Sequence, residues 1–422
     1  MFNIAILGFG KIGSGTAGVF AENESVISKK LGDTVNIKYI FDIADIKNHP
    51  LSDRQVKDFD IILNDPDISL VVETMGGSHP AFDFTKSALE KGISVVTSNK
   101  EVVAKFGAEL LKTAAETNTR YFFEASVGGG IPIIRPICNC LAANKLNKIT
   151  AVLNGTTNFI LTKMSNEGVD FEAALKTAQE NGYAEKDPSA DIDGTDSCRK
   201  ICILSSLAFG RQLPPEKVHA EGIRYITPDD IKNAAKLGCK IKLIAKAEKL
   251  ENSEKPENSD SLYVIVAPML VPRSSPLYNI EDVFNGIVVT GNVIGDVMFY
   301  GHGAGKLPTA SAVAADVMDA LLKSTKNMTW EVSDGSYVSD YKKCPGKYYI
   351  RAEADPDVLN PADLNSIYRL IGISFPDSDI YESNNSKELF FTSNVSDEYK
   401  FDGSIKNLSN SGFKIKSTIR IL

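Results

Sequence analysis

The chain has 422 residues, 43% of them hydrophobic and 24% charged, with a formal net charge of -8 at pH 7. This is an ordinary globular composition, long enough for two or three domains with sizeable cores, and its acidic balance excludes a nucleic-acid footprint, which needs a basic patch. No apolar run approaches the roughly 20 residues that cross a bilayer, and MFNIAILGFG enters a strand pattern at once instead of a leader, so a cytoplasmic protein is expected.

FNIAILGFGKIGSG reads as a buried strand, a glycine turn and the start of a helix. Gly8, Gly10 and Gly13 fit G-x-G-x-x-G, with Phe9, Lys11 and Ile12 between them. The first glycine permits a tight turn and the second lets the backbone approach a pyrophosphate. The third lets the helix pack close to the strand, with its N-terminus toward the anion. The motif alone is weak; directly after an opening apolar strand it points to a dinucleotide site. A second strand, VNIKYIF, ends at Asp42. An acid there favours a ribose 2′-hydroxyl and hence NAD, while Lys47 or another base leaves NADP open. The spacing from the glycines exceeds the usual ~20 residues, so a longer helix and loop intervene.

ISLVV is the next strand and ETMGG its terminal turn; AFDFTKSALEKG is a helix closed by Gly92; ISVVTSNK is another strand. This alternation predicts a parallel sheet with ligands beyond the carboxyl ends of its strands, where Thr74, Gly76, Gly77, Ser98, Asn99 and Lys100 fall. Lys100 can hold a phosphate, face a substrate carboxylate or carbonyl, or simply open the next helix into solvent. TRYFFEASVGGGIPIIRPI is a strand and a glycine-rich bend. There Glu124, Val127, Gly129 and Ile131 can turn a carboxylate and several carbonyls inward, as hard cations require, or form a plain turn. Cys138 and Cys140 form a lone C-x-C without zinc spacing.

KITAVLNGTTNFILTKMSNEG places a short strand, a polar NGTTN turn and a helix beginning at FILTK; Asn154, Thr156, Thr157 and Asn158 can line a site or merely cap the helix. FEAALKTAQENGYAE closes a helix at Gly182. NGYAEKDPSADIDGTDSCRK then gathers five acids, Glu185, Asp187, Asp191, Asp193 and Asp196, around three bases. Asp196 and Lys200 share a helical face. The helix continues as ICILSSLAF and must be largely buried, and a buried lysine needs a partner. Lys200 with Asp196, and Glu185 and Asp191 arriving from the loop, can clasp an ammonium and exchange a proton with an oxygen. Cys198 and Cys202, one helical turn apart in this stretch, read as reduced, buried thiols.

Farther on, EKLENSEKPENSDS is expected as an exposed loop between the strands KLIAKAEK and LYVIVAPML. GKLPTASAVAADVMDALLKS is a helix that returns to the dinucleotide domain. The expected domains are 1–134 plus about 306–330 for the dinucleotide, 135–305 for substrate and dimerisation, and 346–422 for the tail.

Together GFGKIGSG, VVETMGG, TSNKE, EASVGGGIP, LNGTTNFIL, GYAEKDPSADIDGTDSCRK and GHGAGKLPTASAVAAD resemble the homoserine dehydrogenase family, in family order across residues 1 to about 320. The resemblance implies reversible NAD(P)H-dependent reduction of L-aspartate 4-semialdehyde to L-homoserine, in threonine and methionine synthesis. It implies Lys200 as the catalytic general acid, Glu185, Asp196 and Asp191 as substrate-binding acids, and Lys100 beside nicotinamide and substrate. Gly182 and Gly303 match cofactor contacts. Glu124, Val127, Gly129 and Ile131 match a sodium site. Family members pair through the middle domain, so a homodimer or higher homo-oligomer is implied. A lysine amine is protonated at neutral pH, so it can stabilise and then protonate the alkoxide left by hydride arrival; oxidation should gain at alkaline pH, where the neutral amine serves as base. Ala151, Phe159 and His302 depart from the residues most common in the family, without removing a chemical group.

The tail reads KYYIRAEA strand, PADLNSIYRLIG helix, ELFFTSNV strand, YKFDGSIKNLSNSG helix and FKIKSTIRIL strand, which resembles an ACT domain. DPDVLNPADL lacks the glycine that usually follows proline in the ligand turn, so a structural or dimer-supporting role stands beside effector binding. The fold class expected is therefore α/β: a Rossmann-type domain, an α+β substrate and dimerisation domain, and an ACT-like βαββαβ tail. The competing readings are a semialdehyde dehydrogenase with a cysteine nucleophile and a nucleotide sensor without catalysis. The first needs a thiolate beside an activating base, and Cys138 has no histidine near it in sequence.

Overall fold

The computed structural model describes residues 1–250, 261–323, 328–354, 381–382 and 388–422. The chain divides into two compact units, one of residues 1–149, 199–217 and 284–335, the other of 150–198, 218–283 and 336–422.

The first unit opens with strand β1 (Phe2–Leu7), helices α1 (Lys11–Glu22) and α2 (Glu24–Leu31), and strand β2 (Val35–Phe41). The extra helix accounts for the long spacing between the glycines and Asp42. There follow β3 (Gln55–Val56), α3 (Phe59–Leu63), β4 (Ile68–Glu73), α4 (Ala81–Glu90), β5 (Ser94–Thr97), α5 (Lys100–Glu116) and β6 (Tyr121–Phe122). The strands make a six-stranded sheet in the order β3-β2-β1-β4-β5-β6, parallel throughout. β1 and β4 read as near-continuous apolar runs because both faces of a parallel sheet are covered; Ile4, Ala5, Ile6, Leu7, Leu70, Val71 and Val72 are fully buried.

Strand β7 (Leu146–Val152) leads to α6 (Gly155–Glu167), α7 (Phe171–Glu180), the short α8 (Ser189–Ile192) and α9 (Thr195–Phe209). Contrary to the sequence expectation, NGTTN is not a turn ahead of the helix. Asn154 is the N-cap and α6 begins at Gly155. In the second unit β8 (His219–Ala220), α10 (Pro228–Lys236), β9 (Cys239–Lys249) and β10 (Leu262–Pro272) follow, with β9 and β10 antiparallel over their whole length. Of the charged loop expected between them, Glu248 and Lys249 belong to β9, and 251–260 lies outside the described residues.

The chain returns to the first unit as the hairpin β11 (Phe284–Gly291) and β12 (Gly295–His302), then α11 (Lys306–Leu322). α11 packs on α1 so closely that a Cβ on Gly15 would stand 3.2 Å from Ala310 Cβ. The tail adds β13 (Pro345–Ala354), β14 (Tyr381–Glu382), β15 (Glu388–Thr392), β16 (Ser396–Asp397), α12 (Glu398–Asn410) and β17 (Phe413–Ile421). The helix expected at PADLNSIYRLIG and the turn DPDVLNPADL lie outside the described residues. The tail belongs to the second unit's sheet: β17 pairs parallel with β10 and antiparallel with β13. Buried Arg351 binds it to α10, donating from Nε to Asp230 Oδ1 at 2.9 Å and from a guanidinium nitrogen to Thr227 Oγ1 at 3.0 Å.

Candidate active site

The glycine loop joins β1 to α1. Gly8 is left-handed at φ +87, and a Cβ on Gly13 would fall 2.1 Å from the Gly8 carbonyl oxygen, so helix and strand can approach only with glycine there. Around Gly10 a Cβ would meet no protein atom within 4 Å. The N-terminal turn of α1 has no side-chain cap, leaving a cradle for an anion. The residues present therefore fit a dinucleotide.

Two residues expected to touch cofactor hold this loop. Thr74 donates its hydroxyl to the Gly8 carbonyl at 2.7 Å. Asp42 accepts from the Phe9 amide at 2.5 Å and the Ala44 amide at 2.8 Å. Lys57 Nζ reaches the carbonyls of Asp42, Ile43 and Ala44 at 2.9–3.2 Å. An acid and a cation therefore share this strand end. Lys47 extends into solvent beside Asp45.

At the ends of β4 and β5 a buried chain of hydrogen bonds fixes the start of α5. Glu73 Oε1 accepts from the Met75 amide at 2.7 Å and Oε2 from the Thr97 hydroxyl at 2.6 Å. Thr97 accepts from the Asn99 amide at 2.9 Å. Asn99 caps α5 by accepting from Glu101 and Val102 amides, and it donates to the Gly77 carbonyl at 2.8 Å. Lys100 is the first residue of the helix so held. Burial pushes the Glu73 carboxyl up to about 7, against the hydrogen bonds from Thr97, Met75 and Asn99 that favour its charge. Sequence reading passed over Glu73 and Thr97, although an acid closing an apolar strand was a visible signal.

Glu124 is 2% exposed and its carboxylate accepts from the amides of Ile133, Ile134 and Arg135 at 2.6–2.9 Å. The inward-turned carboxylate expected of a cation ligand is thus committed to main-chain donors, and a hard cation at this loop would rest on carbonyl oxygens. Gly128 and Gly129 are both left-handed, at φ +75 and +55. A Cβ on Gly129 would stand 2.6 Å from the carbonyl of Gly303, and one on Gly303 1.9 Å from Asn285 Nδ2. Packing alone therefore requires glycine at 303. Gly182 is left-handed at φ +73 just after α7, as a helix terminus prefers.

In the second unit one residue organises the acids. Asn154 accepts from the Thr157 amide at 2.8 Å, and its Nδ2 donates to Asp191 Oδ1 at 2.7 Å and Asp196 Oδ2 at 2.9 Å. Thr156 donates to the Tyr183 carbonyl at 2.7 Å, and the Phe159 and Tyr183 rings meet edge to face at 4.9 Å, so LNGTTN and GYAE come together. Of the five acids, Asp191 and Asp196 are gathered. Asp193 pairs with Arg224, and Asp187 accepts from the Ser189 amide and hydroxyl, so these two brace the loop. Glu185 stands exposed, with its carbonyl accepting from Gln179 Nε2 at 3.1 Å. α9 carries both Asp196 and Lys200, one turn apart, at 4% and 8% exposure. Such burial is far from the usual solvated i,i+4 pair.

Cys138, Cys198 and Cys202 do not suit the role of nucleophile. Burial and the nearby Glu124 push the Cys138 thiol up to about 11, away from the thiolate that chemistry needs, and Cys198 and Cys202 are buried within α9. No group of three or more metal-binding side chains occurs among the described residues, and none of the described helices is long and apolar enough to cross a membrane.

Family models described as homoserine dehydrogenase, NAD binding domain, and homoserine dehydrogenase match residues 8–124 and 132–318. A homoserine dehydrogenase of Synechocystis is 42% identical over 319 residues, 75% of this chain and 72% of that one. The crystal structure of a homoserine dehydrogenase from Thiobacillus denitrificans superposes with a TM-score of 0.90 at 31% identity, covering 100% of this chain and 98% of that one. A hyperthermophilic archaeal homoserine dehydrogenase in complex with NADPH matches with a TM-score of 0.65 at 32% identity, over 78% of this chain and 99% of that one.

Proposed function

The chain belongs to the homoserine dehydrogenase family and is an oxidoreductase, and from that premise we propose how its residues interconvert L-aspartate 4-semialdehyde and L-homoserine. The observation that carries the reading is the pairing of Asp191 and Asp196 by Asn154, on a chain segment whose helix also bears Lys200. Asp196 and Asp191 receive the substrate ammonium, with Glu185 closing from the exposed loop. Gly8–Gly13 would hold a nicotinamide dinucleotide, whose ring would supply or accept the hydride. Lys200 holds the proton that neutralises the new alkoxide and returns to take it in the oxidation direction. Lys100, fixed by Asn99, steadies the substrate's oxygen-bearing end.

The cofactor is NADP as well as NAD. Asp42 suits a ribose hydroxyl, but its charge is already taken up by two amides, and the amine of Lys57, just after β3, reaches the carbonyls of the same turn. The carbonyls of Glu124, Val127, Gly129 and Ile131 are the groups that would hold a sodium ion, which would brace this loop. The tail is an ACT-like module of a homodimeric enzyme serving threonine and methionine synthesis, and threonine is its candidate effector. The test is a turnover assay: purified protein with homoserine and NAD or NADP should generate reduced cofactor from both. No turnover with either overturns the reading, and a rate flat in threonine up to saturating levels removes the effector.

A further inference from the structure

Helix α5 begins at Lys100, and one turn later its hydrogen-bond ladder meets a side chain. In an unbroken α-helix the amide of residue 108 bonds the carbonyl of residue 104. Here the Ala108 amide donates to Gln212 Oε1 at 2.9 Å, and Gln212 Nε2 donates to the Ala104 carbonyl at 2.6 Å. A glutamine amide is the same chemical group as a peptide, so neither helix group loses a partner.

Further contacts hold the insert. Oε1 also accepts from the Trp330 indole N–H at 2.8 Å. The indole lies against Gly107, where a Cβ would fall 2.3 Å from Cζ2. The Gln212 amide donates to the Glu331 carbonyl at 2.7 Å, and the Leu213 amide donates to Ser206 Oγ on α9 at 2.9 Å. Gln212 is 6% exposed. One side chain thus ties the helix that starts at Lys100 to the segment following the helix that carries Lys200, inside the first unit.

We infer that Gln212 is a positioning residue: by occupying the ladder of α5 between Ala104 and Ala108, it sets the first turn of that helix, and Lys100 with it, for turnover. The inference rests on the role proposed for Lys100.

The test is a double-mutant cycle on the full chain. Gln212→Leu lets Ala104 and Ala108 close on each other. It should lower kcat for homoserine oxidation about tenfold or more, with KM for the cofactor within about twofold. In a Lys100→Met background the same change should cost less than about twofold, since it acts through that lysine. An equal loss in both backgrounds, or a normal kcat in folded Gln212→Leu, overturns the inference. Gln212→Glu is the second variant: as a carboxylate it keeps the bonds from Ala108 and Trp330 and sets an acceptor in place of the donor toward the Ala104 carbonyl, so the same loss is expected at a pH where the carboxyl is ionised. If neither variant folds, the unaltered protein decides. Trp330 is the chain's one tryptophan, and its emission should change when oxidised cofactor and L-2-aminobutyrate, which has no hydroxyl to oxidise, bind together. It should not change in Lys100→Met; flat emission in the unaltered protein overturns the inference. If the unaltered protein has no homoserine-dependent turnover, the proposed reaction fails instead.

Discussion

Asn154→Ala is the substitution whose cost the structure apportions best. It removes an N-cap, worth about 1 kcal/mol. It also removes a hydrogen bond to Asp196, which is 4% exposed; a buried bond to a carboxylate is worth about 2 kcal/mol. Asp191 is only half-buried, so water replaces most of its lost bond, at a cost under about 1 kcal/mol. The sum is about 3 kcal/mol, readable as a shift of the urea midpoint at unchanged slope. KM for homoserine should rise about tenfold or more, because two acids no longer share a tether, while cofactor affinity holds. Asn154→Asp places a third carboxylate 2.7–2.9 Å from the other two; it should be worse than alanine at neutral pH and recover as pH falls. A loss near 1 kcal/mol, the cap alone, with an unchanged KM for homoserine, would refute the idea that Asn154 builds the acid pair.

Two other substitutions probe the first unit. Glu73 stands at about 7 in the folded chain against an ordinary 4.5. Between those values the folded state keeps a proton that the unfolded chain has released, so this stability is full below the lower value and lost as pH rises through the upper one. The loss is about 3 kcal/mol. Glu73→Gln should flatten the fall in unfolding free energy between pH 5 and 7. Some slope remains because burial also raises Asp316, to about 7; an unchanged slope contradicts the assignment. Gly10→Ala meets no protein atom within 4 Å, so stability should stay within about 1 kcal/mol while cofactor affinity, read by titration, falls about tenfold or more. Equal affinity would show that the turn serves the protein and not a ligand.

What could be read from sequence was local. The glycine loop declares itself because its three glycines and the strand before them fall within a dozen residues, and Asp196 and Lys200 share a helical face by spacing alone. The tie that pairs the acids was hidden: Asn154 meets Asp191 and Asp196 across 37 and 42 residues, and a cap reading explained it well enough by itself. Arg224, the partner of Asp193, lies 31 residues on, so nothing near Asp193 in sequence marked it as a brace of the loop. Glu124 matched a cation loop by pattern, but pattern could not show three amides converging on its carboxylate. Gln212 offered no signal, since it reaches back 108 residues to Ala104. The tail was legible strand by strand, yet not its fusion to the second unit through β17 and Arg351, because strand pairing across a long interval leaves no periodic trace.

The central claim is that the amine at position 200 handles the proton of the reaction. Homoserine-dependent reduction of NADP by Lys200→Ala, beside the unaltered protein and with cofactor binding measured on both, tests it most directly. Turnover should fall by about 10²–10⁴ with cofactor binding intact; a variant that turns over at close to the original rate contradicts the account.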